Sequence, residues 1–418
     1  MKVHLKKATV IDTSSPHHGK TTDLLIENGV FTEIATDITV ASDIPSIELP
    51  NLHISQGWFD SSVSFGEPGY EERETLENGL QVAAQSGFTH IALQPDTLPV
   101  TDHSGAVAYL KNYCADKAVT ILPIGAMTMK LKGDDLAELY DMHQAGAVTF
   151  GDYNSPVTNP NLLKLALLYT QNFGGLVQSF PSDPAIAGKG VMNEGYQSTH
   201  LGLKGIPALA EELQIKRDLS ILKYTGGKLH IPTISTKKSV ALIKEAKEAG
   251  LAVTCSVAVH HLFLTDEKLK SYDTRYKVLP PLRTKEDLEA LQQALQDGVI
   301  DMITSDHRPM DIEVKKTEFE YASYGTIGLE SAFSVLNNHF SLENTIRYLT
   351  SGKGIFTVPV HTIKVGNKAD LSLFNPDGNF IFDTQHIAST SKNSAFLGYP
   401  GKGNVYGIIH NQKINLNQ

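Results

Sequence analysis

The chain has 418 residues, 41% hydrophobic and 20% charged, an ordinary globular composition with room for two or three domains, or for one large α/β barrel and a smaller unit. Its net charge of −10 is spread without long runs, which argues against nucleic acid as the main partner, because phosphate contacts need clustered Lys and Arg. No run of ~18 apolar residues predicts a membrane span, and the opening "MKVHLKKATVIDTSS" lacks a signal-peptide core, so a cytoplasmic protein is expected.

Residues 1–52 read as short β segments: "HLKKATVID", "DLLIENGVFTEIA" and "IPSIELP", with "ENG" as a hairpin signal. The middle then alternates. "FTHIALQPD" is a strand after the helix-like "ERETLENGLQVAAQSG", and "VTILPIGAM" is a strand before "DDLAELYDMHQAG". "AVTFGD", "GGLVQSF", "LHIPTIS", "LAVTCSVAV" and "IDMITSDH" are further strands, separated by helical stretches such as "IPALAEELQIKRDLSILKYTG" and "TKEDLEALQQALQDG". Apolar strands alternating with amphipathic helices predict parallel β/α units. About eight such units fit a closed (β/α)8 barrel of the TIM type better than an open sheet, since no G-x-G-x-x-G follows the first strand. From about residue 358 to 418 the pattern returns to β segments: "HTIKVGNKADLSLFNP", "GNFIFD" and "GNVYGIIHNQKI". The predicted architecture is therefore α/β, a barrel over 53–357 with a smaller β-sandwich formed by residues 1–52 and 358–418. Cys114 and Cys255 lie far apart in apolar surroundings without a C-x-x-C motif, and are expected to be buried thiols.

Barrel chemistry sits at the C-terminal ends of the strands. The segment "GWFDSSVSFGEPGY" ends the first of them, and alternation along a strand puts Ser62 and Ser64 on one face. The other strand ends offer Asp152, Ser179, His230 and the pair Asp306–His307. Carboxylates outnumber the imidazoles that a zinc site normally uses. A hard-cation site of Asp60, Asp152 and Asp306 is one reading. Asp306 is expected either to cap a helix or to lie in the pocket. His230, His260 and His261 read first as satisfied structural histidines, "YTGGKLH" as a helix stop and Glu67-Pro68-Gly69 as a turn. No G-x-S-x-G nucleophile elbow is present.

The ordered motifs resemble dihydroorotase of the bacterial type, within the amidohydrolase superfamily, almost from end to end. "FDSSVSFGEPG" is similar to that family's D-x-H-x-H-x-R-x-P-G, and "LQPDTLP" to M-P-N-T-x-P. "LHIPTIST" resembles H-x-x-H-x-S-T, "VLPPLR" resembles N-P-P-L-R, and "ITSDHRPM" resembles D-H-A-P-H. The resemblance implies a (β/α)8 barrel, a β-sandwich from both chain ends, a homodimer, and zinc-dependent interconversion of carbamoyl aspartate and dihydroorotate in pyrimidine biosynthesis.

Carried over position by position, the resemblance implies a degenerate site. Ser62 and Ser64 stand where the family has its H-x-H metal ligands, Ser179 and Thr233 where it has later histidines, and Met310 at the last histidine. Gly66 replaces the substrate arginine, Asp96 the substrate asparagine and Leu279 another asparagine, while Asp152 and Asp306 keep carboxylates. Hydroxyls are weak zinc ligands, and two carboxylates fall short of the three protein ligands of a catalytic zinc. Without the metal, water keeps a pKa near ~15.7 rather than ~7. The expectation is that no zinc or other cofactor is held and no catalytic residue remains, Asp306 excepted if the protein is active. The role expected is assembly or interaction, with aspartate transcarbamoylase as the partner that the family suggests. The alternatives are a cyclic-amide hydrolase with altered metal or substrate, and an active dihydroorotase with an unorthodox site.

Overall fold

The computed structural model describes residues 1–417. Eight parallel strands run in chain order around the molecule: Trp58–Val63, Phe88–Leu93, Thr120–Gly125, Thr149–Phe150, Val177–Gln178, Leu229–Ile231, Val253–Ala258 and Met302–Thr304. We number these barrel strands one to eight. The ring closes between the first and the last, where Val63 bridges His307 in parallel and the Ser64 amide donates to the His307 carbonyl over 2.9 Å. The strands are nearly all buried because helices cover their outer faces, so they read as continuous apolar runs.

The helices follow local signals. Thr75 caps Leu76–Gln85 by accepting from the Asn78 amide, and Thr284 with Asp287 forms a capping box on Lys285–Gln296. The 18-residue helix Ala208–Thr225 stops at Gly226, whose φ of 70° suits glycine. The "YTGG" run is thus the helix stop that the sequence predicts. Helices Ser104–Tyr113, Leu329–His339 and Leu342–Thr350 complete the outer layer and were not marked by the strand-centred pattern.

Strands from both chain ends hydrogen-bond into one sheet in the order 413–416, 400–410, 371–381, 53–56, 2–10, 21–27 and 30–35, with 46–47 beside 2–10. Leu373 pairs with Ile54, Leu5 with Leu24 and Ile409 with Leu371. Register shifts between Leu5 and Ala8, and again between Asn375 and Asn379, interrupt the ladders; such bulges bend a sheet and increase its twist. The sheet carries its own core of Val3, Leu5, Leu24, Ile26, Ile54, Leu371 and Ile409. Residues 53–56 belong to this sheet rather than to the barrel, four residues past the expected boundary at 52, because Ile54 buries its side chain in that core. Trp58 marks the junction. Its amide donates to Ser372 over 3.0 Å, its indole N–H donates to Ser55 over 2.9 Å, and its ring stacks on Phe333.

Cys114 and Cys255 are buried and unpaired. Among the described residues no helix is long and apolar enough to cross a membrane.

Candidate active site at the barrel mouth

Asp60 is not free to hold a cation. One carboxylate oxygen accepts from the Thr304 hydroxyl and the Ser62 amide, and the other from the Ser305 amide over 2.8 Å. These bonds join the first barrel strand to the end of the eighth, so Asp60 closes the ring. The cation site of Asp60, Asp152 and Asp306 is corrected on that ground. Asp152 is equally engaged: it accepts from the Met127 and Thr128 amides at 2.8 and 2.9 Å and from the Thr128 hydroxyl. Burial still raises the Asp152 carboxyl to about 6, against those lowering hydrogen bonds.

The mouth itself is nearly filled. Ser62, Gln94, Asp152, Tyr153, Gln178, Phe180, Thr233 and Asp306 surround a cavity of about 10 Å³, room for roughly one water. Ser62 donates its hydroxyl to Asp306 Oδ1 over 3.1 Å, and Gln94 donates to the same hydroxyl over 3.1 Å. Asp306 therefore lies in the pocket rather than on a helix cap. Burial raises its carboxyl to about 7, with Ser62 and Arg308 opposing and Asp60 assisting. Tyr153 lies beside Asp306 without a close hydrogen bond of its own, and the Arg308 guanidinium sits over its ring at 5.1 Å.

Outside this plug lies a vestibule of about 670 Å³ lined in part by Arg73, Asp96, Arg308 and Met310. Here Ser64 donates to both oxygens of Asp96 at 2.8 and 2.9 Å, and accepts from Arg73 at 2.6 Å. Arg73 and Arg308 approach Asp96 at 3.5 and 3.7 Å. The negative charge at 96 is thus neutralised internally, by two arginines that reading the strand ends alone did not single out. Arg308 lies inside the "SDHRPM" motif, and Arg73 follows the Glu67-Pro68-Gly69 turn. Gly66 has φ +125°, and a Cβ there would meet the Tyr70 carbonyl at 2.4 Å. The loop has been rebuilt around glycine, so an arginine at 66 would not fit without moving it.

Three expected mouth residues point elsewhere or sit apart. Ser179 donates to Asp218 over 2.6 Å, towards the helix Ala208–Thr225. Leu279 lines a separate small cavity with Phe180 and Arg283. Met310 stays in the vestibule. The histidines are buried, but not all are satisfied as expected: His260 Nε2, His261 Nδ1 and His307 Nε2 have no hydrogen-bond partner. His230 faces the hydroxyls of Thr254 and Ser256 and is lowered to about 3 by burial. His261 contacts the Pro280 carbonyl, and His307 Nδ1 accepts from the Gly328 amide. Only Ser62, Asp152, Thr233 and Asp306 of the expected set meet at the mouth cavity.

Three non-glycine residues there hold left-handed backbones: Tyr153 at φ 51°, Thr233 at 48° and Asp306 at 48°. For β-branched Thr233 this is an outlier, and such strain of roughly 1–3 kcal/mol per residue clusters at active sites. The donors present do not fit a catalytic zinc. The hydroxyls of Ser62 and Ser64 are committed to carboxylates, Asp152 already accepts three hydrogen bonds, and no imidazole lines the cavity.

Comparison with known proteins agrees with the class that the fold defines, an amidohydrolase-type barrel. A model described as "Amidohydrolase family" matches residues 191–412, and one described as "Dihydro-orotase-like" matches residues 53–239. The fold matches the L-hydantoinase (dihydropyrimidinase) of Arthrobacter aurescens with a TM-score of 0.85 at 23% identity, over 99% of this chain and 95% of that one. It matches the dihydropyrimidinase of Brevibacillus agri with a TM-score of 0.83 at 20% identity, over 100% and 95%. Proteins named dihydroorotase from Thermoanaerobacter sp. and Pelotomaculum thermopropionicum are each 38% identical, over 97% and 98% of this chain and 95% and 97% of their own lengths. The chain belongs to the dihydroorotase family.

Proposed function

We propose that this chain keeps the dihydroorotase frame without zinc at the barrel mouth and without interconversion of carbamoyl aspartate and dihydroorotate, and that it acts by assembly or interaction. Aspartate transcarbamoylase is the partner proposed, with a cytoplasmic homodimer as the acting form. The observation that supports this reading most is the closed mouth: a cavity of about 10 Å³ cannot admit a metal, its water and a dianionic substrate together. Beyond it, Arg73 and Arg308 are already engaged by Asp96, which leaves neither free to clamp a substrate carboxylate.

Two experiments test the two halves. Expression in a strain lacking dihydroorotase should fail to restore growth without pyrimidine, and growth would overturn the loss of catalysis. Gel filtration of the chain with the aspartate transcarbamoylase of the same organism should give one co-eluting species. Separate elution at micromolar concentration would overturn the assembly role.

A second reading is a cyclic-amide hydrolase of altered specificity. It is favoured by the vestibule of about 670 Å³ lined in part by Asp96 and Arg308, and by the Asp306 carboxyl in the mouth cavity, raised to about 7, which suits a proton shuttle. Turnover of a cyclic amide that Asp306→Asn abolishes would select it. An active dihydroorotase with an unorthodox site is the remaining alternative, and the complementation experiment decides it.

A further inference from the structure

A second cluster lies where the barrel meets the end sheet. His90 comes from the second barrel strand, and Asp370 and His410 from the end sheet or the residue preceding its strand. Each offers one ligand atom, and the three atoms lie within 4.8 Å of one another. Among the described residues this is the one group of three or more His, Cys, Asp or Glu side chains so placed.

Its spacing suits co-ligands of one ion. His410 Nδ1 stands 3.2 Å from Asp370 Oδ1, within ion-pairing distance but without the alignment of a regular hydrogen bond. Two atoms bound to a tetrahedral zinc at ~2.0–2.1 Å stand about 3.3 Å apart. The remaining ring nitrogens are oriented by hydroxyls: His90 Nδ1 contacts Thr89 at 2.9 Å, and His410 Nε2 contacts Thr120 at 3.0 Å. Partners of this kind fix the ring and tautomer of a metal-binding imidazole. His90 Nε2 is left free, and burial holds that imidazole neutral, at about 3. The other Asp370 oxygen accepts from the Lys353 ammonium at 2.7 Å, which restricts Asp370 to one ligand atom. Gly57 makes the arrangement possible, since a Cβ there would stand 2.2 Å from both Asp370 Oδ1 and Thr89 Oγ1. A cavity of about 610 Å³ gives access to the three side chains, and His361 also lines it.

We propose that His90, Asp370 and His410 form a binding site for a divalent transition-metal ion of the Zn²⁺ type, which clamps the end sheet to the barrel and keeps a position open to the cavity. Two imidazoles and one carboxylate suit zinc, whereas oxygen-seeking Mg²⁺ and Ca²⁺ are disfavoured. The site is remote from the barrel mouth and does not depend on the function proposed above.

The test uses the full chain without a histidine tag, stripped by a chelator and titrated with Zn²⁺ by calorimetry. One equivalent should bind and raise Tm by roughly 3–5 °C at a hundredfold excess over Kd. His410→Gln, at the more open edge of the cluster, should weaken binding at least tenfold, whereas Asp306→Asn should leave it unchanged. X-ray absorption of the zinc-loaded wild-type chain should show two imidazoles on the ion, which decides the matter even if His410→Gln fails to fold. Absence of saturable binding, binding that Asp306→Asn removes, or a metal shell without imidazole would overturn the proposal.

Discussion

The Ser62 hydroxyl donates to Asp306 Oδ1 over 3.1 Å, joining the ends of the first and last barrel strands inside the mouth. By the motif resemblance, these positions correspond to a metal-binding histidine and the strand-terminal aspartate. Here the short side chain reaches the carboxylate directly, and Gln94 completes the hydroxyl's bonding. The space that an ion and its ligands would need is occupied by a hydrogen-bonded network.

Restoring histidine at the first two positions should therefore fail to restore the site. Ser62→His would press an imidazole into a cavity of about 10 Å³, and Ser64→His would press another against Asp96 and Arg73, so that Asp96 and Asp306 both lose their hydroxyl donors. A loss of about 2–4 kcal/mol is expected from overpacking and lost hydrogen bonds, read by urea unfolding. Added Zn²⁺ should give the double variant no turnover. A stable, zinc-dependent dihydroorotase from these two changes alone would refute the account of the mouth.

Asp306 predicts a pH dependence. Its folded carboxyl is raised to about 7 from an ordinary 3.8, so the folded chain holds this proton more tightly than the unfolded chain. The resulting stability is complete below about pH 4 and is lost as pH rises towards 7. Asp152, raised to about 6, adds a loss of the same sign over a narrower window. Asp306→Asn can still accept from Ser62, and should stabilise the chain at pH 8 by on the order of 2–4 kcal/mol while changing little at pH 4. Chemical denaturation at the two pH values is the check. An equal effect at both would show that Asp306 does not titrate as described.

Asp60→Ala should be among the most damaging single changes. It leaves the Ser62 and Ser305 amides and the Thr304 hydroxyl without their shared acceptor at the barrel seam. A cost of about 3–5 kcal/mol follows from these orphaned buried donors. A change below 1 kcal/mol in urea unfolding would mean that the seam is held by other groups.

Thr233 offers the opposite outcome. Its left-handed φ of 48° strains a β-branched residue, while its amide bond to Ser256 requires no side chain. Thr233→Gly should stabilise the chain by about 1 kcal/mol, net of the entropy that glycine adds to the unfolded state. Destabilisation would mean that the threonine side chain supports the mouth.

The barrel and the pairing of both chain ends were legible because apolar strands alternate with amphipathic helices, and because β patterns return after residue 358. Ser62 and Asp306 were legible as mouth residues because ordered motifs placed both at strand ends, but not as hydrogen-bond partners. Asp60 was not, since its saturation depends on Thr304, 244 residues away in the chain. Ser179 misled for a local reason: the fifth barrel strand is only Val177–Gln178, and the next side chain turns to Asp218 on a helix. Arg308 stood in a quoted motif and Tyr153 directly after one, yet their stacking exists only after the fourth and eighth strand ends meet. His90 and His410 carried no spacing signal, being 320 residues apart in the chain and joined only by the barrel–sheet contact.

The most direct test is a steady-state assay of the purified full chain with carbamoyl aspartate, and in reverse with dihydroorotate, at saturating Zn²⁺. The account predicts no turnover above buffer in either direction, even with zinc bound at the remote histidine site. Zinc-dependent turnover that disappears in Asp306→Asn would contradict it.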